Sequence, residues 1–421
     1  MENNNIKYKQ ETKARSVCDT NPEIFLFVKY SKNFLKMQNK GLRSGFKEDN
    51  ASKILLTIFT LSSWLGITFT KACNKRRFCF SSFWDCSIFV SVVVSCVISV
   101  LGIQIFDFSQ RTNLTFNAYL TLGFLIRLTM MLKQKQIFNV GNNICYLFKK
   151  LDVEMHKQLK LVKIYVCLII IWIIFISAFL ILYSMQIKAV NRSYITVLSF
   201  QIAIYKSPAI VFLVRLSCAF SSAVCDGAIF LALLICTNSY TFSANMLKAF
   251  NCHFKSETST KLLSKSIIIS YMSTYRNLFT LFKDIDNALS CSCLLLYAAA
   301  IICFFNTVSM VFSETIQIDF TMFIQMLTAL MMAIILFFSL TFSAVKVIYE
   351  YENLQFLLMD ASEKLLTLTD NPRVLSTYKM FVDNVMGLRI YFTGANMFEI
   401  DNTLILTTVG GLITYGVIIF Q

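Results

Sequence analysis

Apolar runs long enough to bridge a bilayer recur along the chain at 83–106, 114–132, 161–184, 209–237, 291–312, 321–347 and 403–420. A helix rises about 1.5 Å per residue, so a hydrocarbon core of ~30 Å takes about 20 residues, and each run predicts one crossing helix. None alternates with the two-residue period that a barrel wall needs, and with only 12 Gly and 3 Pro in the chain the helices are expected to be continuous. The pattern therefore predicts an all-α polytopic membrane protein with seven transmembrane helices. A shorter run at 54–70 carries Thr57, Thr60, Ser62, Ser63 and Thr68 between Lys53 and Lys71. It predicts a helix lying at the inner interface or buried against the bundle.

The segments between runs are patterned too. Leu354, Leu358, Ala361, Leu365 and Leu368 recur in steps of four and three, which lines up one stripe along a helix. That helix should stop near Asp370-Asn371-Pro372, because proline starts a helix well and continues one badly. A second helix is expected to follow, with Leu375, Val382 and Val385 on one side. Segment 245–283 has apolar residues of its own in Leu262, Leu263, Ile267, Ile268, Leu278 and Phe282. Together these predict a cytosolic helical bundle, packed within one subunit or shared between subunits. The expected organisation is a cytosolic N-terminal region over 1–82, a six-span ligand-binding bundle over 83–347 with a helical extension at 238–290, anchor helices over 348–402 and a last span over 403–421.

Composition agrees: 56% of the 421 residues are hydrophobic, 15% are charged, and mean hydropathy is +0.62, which excludes an ordinary soluble globule. Of the 39 Lys and Arg, 33 fall in the segments on one side. In the opposite loops stand only Arg111, Lys188, Arg192 and Lys206, while Arg127 and Arg215 fall within spans. Positive charge favours the cytoplasmic side, so the N-terminus is expected inside and the C-terminus outside. The net charge of +15 then decorates a membrane rim, where anionic lipid is the partner, and nucleic acid is not. Residues 1–53 lack the short apolar core and small-residue site of a cleavable signal.

The 14 Cys lie in spans and inner segments, so no extracellular disulfide framework is expected. Cys291-Ser292-Cys293 reads as small residues at a span start, and with only His156 and His253 in the chain no metal site is expected. Sequons at Asn113 and Asn191 fall in expected outer loops, the one at Asn50 inside. No Gly-rich phosphate loop or nucleophile constellation occurs. The reading is of a protein without catalytic residues, cofactor or metal.

Ionisable residues inside spans are costly and are usually partnered or wet. Asp226 falls in mid-span, Arg215 eleven residues nearer the outer face, roughly 16 Å along the helix, and Arg127 toward the inner end of the second span. Arg127 is expected to snorkel or to meet Asp226 from its own helix, and Arg215 is the candidate for a ligand site.

The stretch Tyr391-Phe392-Thr393-Gly394-Ala395-Asn396-Met397-Phe398-Glu399-Ile400-Asp401, then an apolar helix, then Thr414-Tyr415, five apolar residues and Gln421, resembles the C-terminal signature of insect gustatory receptors. The Thr-Tyr to Gln spacing is similar to that of the related odorant co-receptor. Trp64-Leu65-Gly66-Ile67-Thr68-Phe69 ahead of a basic patch and the first span adds a vaguer likeness. The resemblance implies a homotetramer, or a heterotetramer with related subunits, forming a ligand-gated nonselective cation channel in the plasma membrane. The last span would line the pore for Na+, K+ and Ca2+. It also implies a small-molecule tastant bound between the second and sixth spans, a bitter-type plant compound by the balance of the family, with a sugar as the alternative. Family members commonly carry an apolar residue after the final Gln, and the chain stops at Gln421, which would leave more of the gate to Gln421 and Ile418.

Thr414, Ile418 and Gln421 share a helix face. Four copies would stack hydroxyl, apolar and amide rings about an axis; an apolar ring gates by dewetting and an amide ring replaces part of an ion's hydration. Gly410 and Gly411 would let helices approach, and Tyr415 is an interfacial aromatic. From the residues alone, the same helix reads as packing on lipid and on its own bundle. Polar and aromatic candidates for the ligand pocket are Asn117, Tyr119, Ser177, Tyr183, Arg215, Phe305, Asn306, Phe320 and Gln325, a mixed lining that suits a small organic molecule. The rival class is a seven-span receptor coupled to G proteins, which needs an outside N-terminus. A secondary transporter would show repeats or broken helices.

Overall fold

The computed structural model describes residues 50–64, 67, 90, 93, 110–151, 153, 156–186, 195–197, 200–202, 208–260, 264–311, 320–368 and 371–420. The expected first span, 83–106, falls almost wholly outside them, as does Gln421. The described chain is nearly all helix: α1 (Asn50–Trp64), α2 (Gln110–Leu132), α3 (Gln134–Lys150), α4 (His156–Gln186), α5 (Pro208–Thr260), α6 (Lys265–Val311), α7 (Phe320–Leu368), α8 (Pro372–Gly387) and α9 (Asn402–Phe420). Two small antiparallel hairpins interrupt it. β1 (Ile195–Val197) pairs with β2 (Phe200–Ile202), and β3 (Thr393–Gly394) pairs with β4 (Phe398–Glu399). The sequence pattern anticipated neither pairing.

Among the described residues, three helical stretches are long and apolar enough to cross a membrane, Ala223–Ser259, Lys265–Val308 and Met326–Thr367. They belong to α5, α6 and α7, which run for 53, 47 and 49 residues. At about 1.5 Å per residue each is roughly 70–80 Å long, more than twice a hydrocarbon core of ~30 Å. One part of each must therefore stand clear of lipid, and there the packing is that of a soluble bundle. Leu354, Leu358, Ala361 and Leu365 are buried along α7, as their spacing predicts.

Helix α8 closes this bundle. Asn371 caps it by accepting from the Arg373 amide at 3.1 Å, with Pro372 in the first turn, as expected of that pair. Its buried face is led by Tyr378, Phe381 and Val385, while Leu375 and Val382 are half-buried at its margin. Three tyrosines pin it to its neighbours. Tyr275 on α6 donates to the Leu388 carbonyl at 2.9 Å, Tyr351 on α7 to that of Val385 at 2.9 Å, and Tyr378 to that of Leu358 at 2.6 Å. Burial first, then the nearby Asp360 carboxylate, pushes the Tyr378 phenol above its usual range, so it stays a donor at any physiological pH.

Helix α1 resolves its two expected placements in favour of burial. Ile54, Leu55, Ile58 and Phe59 are all buried as α1 packs on α3, α4 and α5. A β-carbon on Gly141 of α3 would come within 3.3 Å of the Phe59 ring, so this glycine permits the close approach. The hydroxyls that made the run look unsuited to an apolar setting bond back to their own helix. Thr57 donates to the Lys53 carbonyl at 2.8 Å, Thr60 to Leu56 at 2.7 Å and Ser62 to Phe59 at 2.7 Å.

Candidate functional site

The residues that carried the family resemblance fold into a tight hairpin wedged between the long helices and α9. Ala395 and Asn396 sit at φ 51° and 59°, the left-handed pair that a two-residue hairpin turn favours, and the Met397 amide closes the turn onto the Gly394 carbonyl at 2.9 Å. A β-carbon on Gly394 would fall 2.3 Å from the Phe398 ring, so only glycine fits under that ring without moving it. Alanine at a left-handed position is strained. Ala395→Gly is expected to raise the stability of the purified protein by about 0.5–1 kcal/mol, read as a higher melting temperature, because the hydrogen bond from the Ala395 amide to the Ser290 carbonyl (3.0 Å) survives the change.

Two helices, α5 and α6, grip this hairpin, and α7 backs one of the gripping rings. From α6, Asp286 accepts the Thr393 amide at 2.7 Å on Oδ1 and the Thr393 hydroxyl at 2.9 Å on Oδ2. From α5, Tyr240 stacks on Phe392 with centroids 4.2 Å apart and planes at 27°, and its hydroxyl lies 2.8 Å from Cys293 Sγ of α6. Tyr297 of α6 meets Phe398 edge-on at 5.6 Å while hydrogen-bonding Thr341 of α7 at 2.9 Å. Asp286, Tyr240 and Tyr297 were missed by the sequence reading, which held no signal linking them to a segment so far along the chain.

The hairpin runs straight into α9. Asp401 caps that helix, accepting from the Thr403 amide at 3.0 Å and the Leu404 amide at 3.2 Å, and from the Thr403 hydroxyl at 2.6 Å. Among the described side chains of α9, 402–414, a narrow stripe led by Leu404 and Ile405 packs on the subunit's own core. Leu406 is 75% exposed and Ile413 63%, and nothing lies within 4 Å of a β-carbon added at Gly410 or Gly411. Among these apolar residues runs a line of hydroxyls. Thr403, Thr407 and Thr414 are exposed and, with Gly410, recur at steps of four and three on one face. The Thr407 hydroxyl donates to the Thr403 carbonyl at 3.1 Å and that of Thr414 to Gly410 at 2.9 Å, leaving oxygen lone pairs turned outward. Thr407 joins the expected Thr414 on this line. Ile418 and Tyr415 lie on α9 with side chains outside the described set, and Gln421 falls beyond the described residues.

The expected ligand-pocket residues are spread over five helices: Asn117 and Tyr119 on α2, Ser177 and Tyr183 on α4, Arg215 on α5, Phe305 and Asn306 on α6, Phe320 and Gln325 on α7. Side chains of Asn117, Ser177, Tyr183, Arg215, Phe320 and Gln325 lie outside the described set; Phe305 and Asn306 are half-buried. Tyr119 is brought to Asp226, donating to its Oδ1 at 3.0 Å. The described partner of Asp226 is thus this phenol, not the Arg127 guanidinium expected from the sequence. Arg127 is itself 1% exposed, so it is built into the bundle instead of snorkelling from it. A cavity of about 10 Å³, lined by residues including Phe59, Gly141, Asn238 and Leu289, lies instead where α1 and α3 meet α5 and α6; it has room for about one water.

The fold has known counterparts. The structure of the insect olfactory receptor OR5 from Machilis hrabei in complex with eugenol superposes with a TM-score of 0.67 at 15% identity, covering 87% of this chain and 97% of that one. The structure of the same receptor without that ligand in its description gives 0.65 at 14% identity, with the same coverage. No curated protein sequence matches. The model of the 7tm chemosensory receptor family matches residues 55–421, nearly the whole chain and all of the hairpin and α9. The chain therefore belongs to the 7tm chemosensory receptor family, that of the insect odorant and gustatory receptors.

Proposed function

We propose that this receptor is a gustatory ligand-gated cation channel of the plasma membrane, built from four subunits, identical or related, and opened by a small-molecule tastant of the bitter plant-compound type. The observation that carries this reading is the outer face of α9. A line of exposed threonine hydroxyls in an apolar helix, with glycines whose β-carbon positions meet nothing within 4 Å, suits a water-filled axis shared with other copies. Stacked rings of hydroxyl oxygens, then Ile418 and Gln421, would pass hydrated monovalent and divalent cations with little discrimination.

In this reading the protein has seven spans, with its N-terminus inside and its C-terminus outside, and the projecting parts of α5–α7 with α8 form the cytosolic anchor. The tastant sits between the second and sixth spans toward the outer face, among the candidates on α2, α4, α5, α6 and α7. Its binding shifts α5, α6 and α7 relative to one another. Asp286, Tyr240 and Tyr297 pass that shift to the hairpin, and the hairpin turns α9. The OR5 structure holds eugenol, a small aromatic, which supports an organic ligand of that size here. A sugar remains the second ligand class.

Whole-cell recording in a heterologous cell, with a panel of sugars and plant secondary compounds, tests the reading. A ligand-evoked cation current independent of G proteins is expected, and Gln421→Ala is expected to alter its rectification or its Ca2+ to Na+ permeability ratio. A response that vanishes when G-protein signalling is blocked overturns the channel reading.

A further inference from the structure

Asp226 lies in the apolar stretch Ala223–Ser259 and is 8% exposed. A carboxylate at such depth is expensive unless a cation neutralises it, and no cation stands within ion-pair distance of it among the described residues. Its one described hydrogen bond comes from the neutral phenol of Tyr119. Arg127 sits eight residues farther along α2 than Tyr119, roughly 12 Å, and Arg215 eleven residues back along α5, roughly 16 Å.

The backbone holds the pair in place. Gly123 of α2 approaches α5 so closely that a β-carbon there would lie 2.8 Å from Cys225 Cβ, and Cys225 Sγ reaches the Leu120 carbonyl at 3.7 Å. This contact, one turn past Tyr119 and next to Asp226, fixes the carboxylate against the phenol. Cys303 of α6 bears on both groups as the other described titratable neighbour. The site so formed has a buried acidic side chain, a phenol hydroxyl beside it and apolar walls, and among the described residues no positive charge.

We propose that Asp226 with Tyr119 is a recognition site for a protonated amine, so that the receptor's ligand is an aromatic or alicyclic ammonium compound. The inference rests on the chemosensory reading above and names the ligand class for that same bundle. The ammonium pairs with the Asp226 carboxylate in a low-dielectric setting, where the attraction is strongest, while the Tyr119 hydroxyl holds the carboxylate in place. A neutral isostere of equal size leaves the carboxylate uncompensated and gains little.

The test uses purified full-length receptor in lipid nanodiscs, melted with a panel of protonated aromatic amines headed by phenethylamine, and with phenethyl alcohol and N-acetylphenethylamine as neutral counterparts. Amines are expected to raise the melting temperature of the wild type while the neutral compounds do not, a comparison that needs no variant. In Asp226→Asn the half-saturating amine concentration is expected to rise about tenfold or more, with Asp226→Glu intermediate, and unliganded Asp226→Asn should melt at or above wild type because an uncompensated charge is gone. Equal shifts from amine and alcohol, no shift from any amine, an amine shift preserved in Asp226→Asn, or an Asp226→Asn protein that melts well below wild type each overturns the proposal. Current recordings separate it from the reading it rests on. An amine-stabilised protein that never conducts sinks the channel alone, and amine-evoked current undiminished in Asp226→Asn sinks the amine site alone.

Discussion

Asp286→Ala is expected to abolish ligand-evoked current while most of the receptor still reaches the cell surface. The carboxylate takes two hydrogen bonds from one residue, the Thr393 amide at 2.7 Å and its hydroxyl at 2.9 Å. Hydrogen bonds to a charged group are worth about 1.5–3 kcal/mol each, so removing both costs roughly 3 kcal/mol or more, and Thr393, 6% exposed, has little water to turn to. That loss is concentrated at the junction of α6 and the hairpin, leaving the bundle of α5–α8 with its tyrosine pins and apolar core intact. Asp286→Asn keeps an acceptor for the amide and is expected to retain part of the current. Surface biotinylation beside whole-cell recording reads the two effects separately, and a full current per surface receptor in Asp286→Ala would mean that the hairpin is a passive tether.

The long apolar helices α5, α6 and α7 and their extensions were legible because both obey short-range rules. The stripe Leu354, Leu358, Ala361, Leu365 and the Asn371-Pro372 start need only the neighbours within two turns, and both stand where the pattern put them. The site was legible only as a linear signature. Its hairpin depends on two non-glycine residues in the left-handed region, which no local preference of alanine announces, and its anchors arrive from far along the chain: Thr393 and Asp286 are 107 positions apart, and so are Tyr119 and Asp226. Reading Asp226 against Arg127 followed charge alone, whereas helix register brings the phenol to it. Tyr378 and Phe381 escaped the apolar stripe of α8 for a related reason. A tyrosine belongs inside once its hydroxyl finds a carbonyl, and that carbonyl, on Leu358, sits on another helix.

The largest loss is expected from Phe392→Ala. The ring is 0% exposed and stacks on Tyr240 at 4.2 Å; emptying such a site costs about 3–5 kcal/mol, and the stacked pair contributes about 0.5–1.5 kcal/mol beyond the area it buries. Against a total stability of roughly 5–15 kcal/mol for a typical domain, this removes a large share, and surface receptor should fall several-fold. Phe392→Leu refills most of the volume but cannot stack, so it separates the two contributions. It should restore surface level more fully than it restores current, because an aliphatic side chain fills the space under Tyr240 without holding the ring to one angle. Tyr240→Phe keeps the stack and removes the hydroxyl beside Cys293 Sγ, and it is expected to lose least. Current normalised to surface receptor across the three variants is the deciding measurement. If it stays at the wild-type value in Phe392→Leu, the contact only supports folding; if it falls, the orientation of this one ring carries motion of α5 into the hairpin and on to α9.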